Sequence, residues 1–154
     1  MYRWWVFIHL VGVVGFLAAH GTSIAATWFV RRIREPAKVA GVLQLSAATV
    51  GFFYLFTFLL LLGGIAAGIS GNWFGQAWIW VSLVLFVVTS VAMFPLARSY
   101  FNRIRQVLDL IRAGTTVSED EFERVLQTGQ PALIAGTGVV IIIFIVYLMV
   151  QKPF

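Results

Sequence analysis

The chain has 154 residues, 60% of them hydrophobic and 11% charged, with a net charge of +5 and no cysteine. A soluble domain is nearer half apolar and a quarter charged, and at this size about a third of the unfolded chain's surface stays wet after folding. A soluble globular fold and a disordered chain are therefore excluded. So are a disulfide scaffold, a zinc–thiolate site, iron–sulfur ligation and a thiol nucleophile.

Residues 4–30 and 39–97 carry no Asp, Glu, Lys or Arg. A helix needs about 20 residues to cross a hydrocarbon core of ~30 Å. The first stretch is one span, about 4–30. It is retained rather than cleaved, because its apolar run is too long for a signal peptide and its basic cluster follows it. The second stretch holds two spans, about 40–69 and 77–97. They are hinged at Ser70-Gly71-Asn72-Trp73-Phe74-Gly75-Gln76, which has turn composition. A fourth span, 131–150, opens with Pro131 in its first turn. Barrel strands would alternate in polarity, and these segments do not. The sequence predicts an all-α fold: a four-transmembrane-helix bundle, one integral membrane domain over residues 1–154.

Nine basic residues fall between the spans on one side: Arg31, Arg32, Arg34, Lys38, Arg98, Arg103, Arg105, Arg112 and Arg124. Only Arg3 and Lys152 fall on the other. The positive-inside rule then places both termini outside, in the manner of a multi-pass protein of a bacterial inner (plasma) membrane. The net charge is read as an affinity for anionic headgroups on the cytoplasmic side, not for nucleic acid. Trp4, Trp5, Trp73, Trp78, Trp80, Tyr147 and Phe154 fall at the outer ends, as an aromatic belt would.

The cytoplasmic segment, 98–130, divides by charge. Residues 98–112 form a basic amphipathic helix with Tyr100, Phe101, Ile104, Val107, Leu108 and Ile111 on one face, continuing the third span past a bend at Pro95. Gly114 ends it. Ser118 and Glu121 form a capping box that starts a short acidic helix. The expected arrangement rests the basic helix on the membrane with its acidic neighbour folded back; the alternative is a docking surface for a membrane-protein partner or a second copy.

Ionisable groups inside a span are functional candidates. The only two histidines, His9 and His20, lie on nearly the same line of the first helix, close to Trp5, Ser23 and Thr27. Gly12, Gly15, Ala19 and Ala26 form a small-residue strip beside them, and Gly64 and Gly68 a second one on the next span. Trp78, Ser82, Thr89 and Met93 share a face that can line the opposite wall. Imidazole in a helical bundle suggests haem b or another porphyrin. His9 and His20 are ~16.5 Å apart along the helix, so they cannot share one iron. Depth pairs His9 with Met149 when the first helix is centred near Leu17, whereas Met93 falls deeper than His20. His9, His20 and Met149 are therefore the candidate cofactor residues, with His9 as the iron ligand and His20 in a hydrogen-bonding role. No span carries a carboxylate, so a proton relay, a sodium site and an aspartyl protease are unsupported. No catalytic residue is identified.

Phe7-Ile8-His9-Leu10-Val11-Gly12, with Gly15 following, is similar to the first helix of a bacterial membrane superfamily that includes the CopD copper-resistance proteins and HemJ-type protoporphyrinogen oxidases. Its uncharacterised predicted integral membrane relatives look closest. That likeness runs through His20-Gly21-Thr22-Ser23, Arg31-Arg32-Ile33-Arg34-Glu35-Pro36 and Gly71-Asn72-Trp73-Phe74-Gly75-Gln76-Ala77-Trp78-Ile79-Trp80. The resemblance implies a helical bundle with His9 at the haem-ligand position. HemJ-type enzymes also use an intramembrane lysine, and Lys38 and Lys152 both lie outside the spans. Two functions stay open: a porphyrin-binding electron-transfer protein, or a cofactor-free accessory or scaffold subunit of a larger membrane complex.

Overall fold

The computed structural model describes residues 1–127 and 130–153. Its helices are α1 (Tyr2–Val30), α2 (Pro36–Ala48), α3 (Val50–Ser70), α4 (Ala77–Arg112), α5 (Glu119–Leu126) and α6 (Gln130–Gln151). No strand occurs among the described residues. A chain this apolar must satisfy its backbone groups locally, and helices do so. Among the described residues three stretches are long and apolar enough to cross a membrane: Tyr2–Val30, Pro36–Ser70 and Ala77–Arg112. In α6 the apolar stretch among the described residues, Ala135–Gln151, is shorter. Phe154, expected in the aromatic belt, lies outside the described residues.

The hairpin expected at 70–76 is present. Asn72 takes a left-handed conformation (φ 58°) and a short 3-10 turn, Trp73–Gly75, leads into α4. The second span is not one helix. Thr49 interrupts it: both its N–H and its Oγ1 bond the Ser46 carbonyl, at 3.3 and 2.8 Å, so an i→i−3 contact replaces the helical one. At the other breaks the local chemistry is as expected. Pro36 opens α2 after an extended Glu35. Gly114 (φ +81°) ends α4, with Thr115 N–H bonding Leu110 O and Gly114 N–H bonding Ile111 O, a Schellman closure. The Ser118 Oγ accepts the Glu121 N–H at 3.2 Å. The helix α4 runs through Pro95 without interruption.

Among the described residues a buried cluster sits at the arginine-rich end: Val30, Val39, Leu43, Tyr100, Ile104, Leu108, Phe122 and Leu126. It gathers the end of α1, the start of α2, the last turns of α4 and all of α5. The apolar face of the basic helix is therefore covered by the ends of α1 and α2 and by the acidic helix α5, which folds back on it as expected. At 1.5 Å per residue α1 is about 44 Å long and α4 about 54 Å, against a core of ~30 Å, so both overhang the hydrocarbon and enclose this end core. Reciprocal bonds hold it shut. Arg31 donates to the Gln127 carbonyl at 3.3 Å while Gln127 Nε2 donates to the Arg31 carbonyl at 3.0 Å. Tyr100 O–H donates to the Leu126 carbonyl at 3.2 Å, and Arg34 pairs with Glu123 at 2.5 Å.

The long helices pair two by two: α1 lies along α3, and α4 along α6. Between the pairs the contacts are made by side chains, among them Phe16 on Phe86 at 5.6 Å.

Candidate functional site

The α1–α3 seam brings backbone against backbone. A methyl group added at Gly12 would lie 2.3 Å from Leu60 N, and one at Gly63 would lie 2.5 Å from His9 N. Gly64 leaves room for the His9 ring, whose Nδ1 lies 2.8 Å from the Leu60 carbonyl oxygen. A carbonyl only accepts, so Nδ1 carries the proton in this bond and Nε2 keeps a lone pair. The contacts of His9 thus run to α3. Met149 stands on α6, which packs chiefly on α4 and touches α1 little. It lies three residues from Lys152, whose ammonium sits 4.0 Å above the Trp73 ring at the tryptophan-rich end.

The second histidine lies deeper along the same line of α1. His20 stacks on Phe16 (centroids 5.6 Å apart, planes 8° apart) and lies 6.4 Å from the Phe53 ring. Its Nε2 is buried and has no hydrogen-bond partner. Across from it is Gly138 of α6. A methyl added there would lie 3.7 Å from His20 Nε2 and 3.3 Å from both Sδ and Cε of Met93 on α4. The structure therefore brings His20 and Met93 to a common point. Buried Ser82 and half-buried Thr89 lie on the α4 face with Met93, as the helical spacing implied.

Trp78 departs from expectation. It is buried, not a member of an exposed belt, and its Nε1 has no partner; Trp4 and Trp80 are exposed as expected. Among the described residues no three His, Asp or Glu side chains gather as a metal cluster would require. What meets at this point is an aromatic-walled imidazole, a thioether and a close-packed glycine. Met93 and Gly138 were missed as partners of His20 in the sequence.

Long apolar helices and an arginine-rich end define a polytopic integral membrane protein. A family described as predicted integral membrane proteins, DUF2269, matches residues 4–153, and the chain belongs to it. No curated protein and no solved structure matches the chain.

Proposed function

We propose that this protein binds haem b or a related porphyrin in a four-span bundle, through a histidine of α1, and transfers electrons in a bacterial inner membrane. The observation that carries this reading is the buried, unpartnered Nε2 of His20. An unsatisfied buried polar atom costs about 1–3 kcal/mol, and a metal ion is a partner that removes this cost. What supports a porphyrin here is donor chemistry alone: the orphaned imidazole nitrogen of His20. When bound, an iron porphyrin supplies one-electron redox chemistry. The protein's part is to orient the imidazole with Phe16 and Phe53 and to exclude water from it. The sequence alone pointed to His9 as the ligand. The His9 bond to Leu60 leaves its Nε2 able to ligate, but the buried Nε2 without a partner is that of His20, which favours His20 instead. The resemblance to the CopD and HemJ proteins is consistent with a histidine of the first helix acting in this way. Both termini face outward in this reading, with the arginine-rich end cytoplasmic among anionic headgroups.

One observation favours the cofactor-free accessory subunit. A groove of about 200 Å³ between α1 and α3 is floored by Gly15, Ala18 and Ala19 and edged by Phe52 and Phe56, a shape that takes a partner helix. An absorption spectrum and a pyridine haemochrome assay decide between them, on protein expressed with haem precursor. A Soret band is expected for the unaltered protein and His9→Ala, and its loss in His20→Ala. No Soret band in the unaltered protein leaves the accessory subunit; loss only in His9→Ala returns the ligand to His9.

A further inference from the structure

Two hollows on the hairpin of α1, α2 and α3 share a face. The groove between α1 and α3 is bordered by Ala18 and Thr22 on one side and by Thr49 and Phe52 on the other. A second pocket, of about 520 Å³, opens at the arginine-rich end, where Arg32, Arg34 and Lys38 line it with one carboxylate, Glu35. Arg34 pairs with Glu123 and Lys38 with Glu35, whereas Arg32 makes no ion pair among the described residues. Residues three and four apart follow one line along a helix. On α1 that line runs from Arg32 back through Phe29 and Ala25 to Thr22 and Ala18. The Arg32 N–H still bonds the Phe29 carbonyl at 3.0 Å, so the last turn carries the line past the end of α1. On α2 and α3 the matching line runs from Lys38 through Val42 and Leu45 to Thr49 and Phe52. Thr49 keeps a right-handed helical conformation, so this line passes the break as well. Ala25, Phe29 and Leu45 are exposed and Val42 is half-buried, which leaves the face open between its basic and its apolar hollow.

We infer that this face seats one anionic phospholipid, its phosphate among Arg32, Arg34 and Lys38 and an acyl chain in the groove against Ala18. The inference uses the membrane placement of the reading above and not its porphyrin. Depth matches such a ligand. A hydrocarbon core of ~30 Å that starts at the exposed Trp4 ends about 20 residues on, near residue 24, with a headgroup layer of about 5–7 Å beyond it. Ala18 and Thr22 then fall among the acyl chains of the arginine-side leaflet. Arg32 falls about 12 Å past the edge of the core, one turn above the headgroups, and a long basic side chain reaches back over such a turn. Three cations against one carboxylate favour a net negative headgroup; a zwitterionic headgroup brings its own cation into the same pocket. A free phosphate would leave the groove empty, and an apolar partner helix would leave the pocket's charge unanswered. A phospholipid supplies both halves in one molecule.

The test uses the full chain in detergent micelles and native mass spectrometry, with phosphatidylglycerol, phosphatidylcholine and glycerol phosphate titrated separately. Thermal melts verify that each variant folds. One phosphatidylglycerol per chain is expected to stay bound, more tightly than phosphatidylcholine, with glycerol phosphate far weaker than either. Arg32→Gln should weaken phosphatidylglycerol about fivefold, the equivalent of ~1 kcal/mol per basic residue at an anionic surface. Arg103→Gln removes the same charge from an exposed position of α4 outside the pocket and should leave the affinity unchanged. Ala18→Leu fills the groove from an exposed position and should weaken phosphatidylglycerol severalfold while leaving glycerol phosphate as it was. Equal losses in Arg32→Gln and Arg103→Gln would overturn the site in favour of general attraction to a basic surface. Unchanged affinity in Ala18→Leu, or glycerol phosphate binding as tightly as the lipid, would remove the acyl chain from the groove and the inference with it. Phosphatidylcholine bound as tightly as phosphatidylglycerol would remove the headgroup contact. A dimer that Ala18→Leu dissociates would give the groove to a second copy. The Soret band depends on none of these variants, so the porphyrin reading stands or falls separately.

Discussion

Replacing Gly12 with alanine adds one methyl group where two backbones meet. That methyl would lie 2.3 Å from Leu60 N and 2.6 Å from its Cα, and ordinary van der Waals contact starts near 3.4 Å. Backbone cannot swing aside, so α1 and α3 must part locally by about 1 Å. A gap of that size forfeits up to half of each contact's dispersion energy, and it stretches the 2.8 Å bond from His9 to Leu60. Overpacking costs about 1–3 kcal/mol, and an interhelical hydrogen bond in a membrane adds about 0.6 kcal/mol. The expected loss is roughly 2–3 kcal/mol. Gly15→Ala should lose less, because its methyl meets the Phe56 ring, a side chain that can turn. Gly41→Ala meets nothing within 4 Å and serves as the control; helix propensity favours it by up to about 1 kcal/mol. The assay is reversible unfolding in mixed micelles with rising dodecyl sulfate, followed by tryptophan fluorescence. If Gly12→Ala unfolds within about 0.5 kcal/mol of Gly41→Ala, the close seam described here is wrong.

Two further outcomes follow from the same geometry. Single cysteines at positions 72 and 116, in this cysteine-free chain, should label from opposite sides of the membrane with an impermeant maleimide; same-side labelling would refute the charge-based orientation. Ile104→Ala, at a position with no solvent exposure, should cost about 2–5 kcal/mol and open the end core to protease at the 113–118 connection. Unchanged cleavage would mean that this cluster contributes little to stability.

The spans, the hairpin, and the closures at Gly114 and Ser118 were legible because each has a local cause: an uncharged run, turn residues, a left-handed glycine, a hydroxyl that accepts an N–H. The break at Thr49 was not. With no charge between 39 and 97, hydropathy gives one value for α2, which packs Val39 and Leu43 on protein, and for α3, which faces lipid. Trp78 was misplaced for a similar reason, since an indole near a helix end reads the same in a belt as in a core. The pairing of His20 with Met93 failed on a single number. Centring α1 near Leu17 assumes that all of residues 4–30 lie in lipid, yet the burial of Val30 in the end core means that α1 overhangs there. Shifting the centre toward the N-terminus by the overhang carries His20 to the depth of Met93. Gly63 was overlooked because the spacing of Gly64 and Gly68 already gave a small-residue strip, and spacing does not say which strip meets a neighbour's backbone.

The end core also sets a timetable for the nascent chain. Val30, Val39 and Leu43 leave the ribosome early, but the residues that cover them, Phe122 and Leu126, come about 80 positions later. At 5–20 residues per second that interval is on the order of 10 s, and for its duration the beginning of α2 is an apolar surface without its lid. The tight α1–α3 pair can form in that time, as can the hairpin into α4. The last link is α5, an acidic segment that joins strands of synthesis separated by most of the protein's length. A stop codon placed between Arg112 and Ser118 would leave the earlier helices inserted and this surface permanently open to chaperones and proteases.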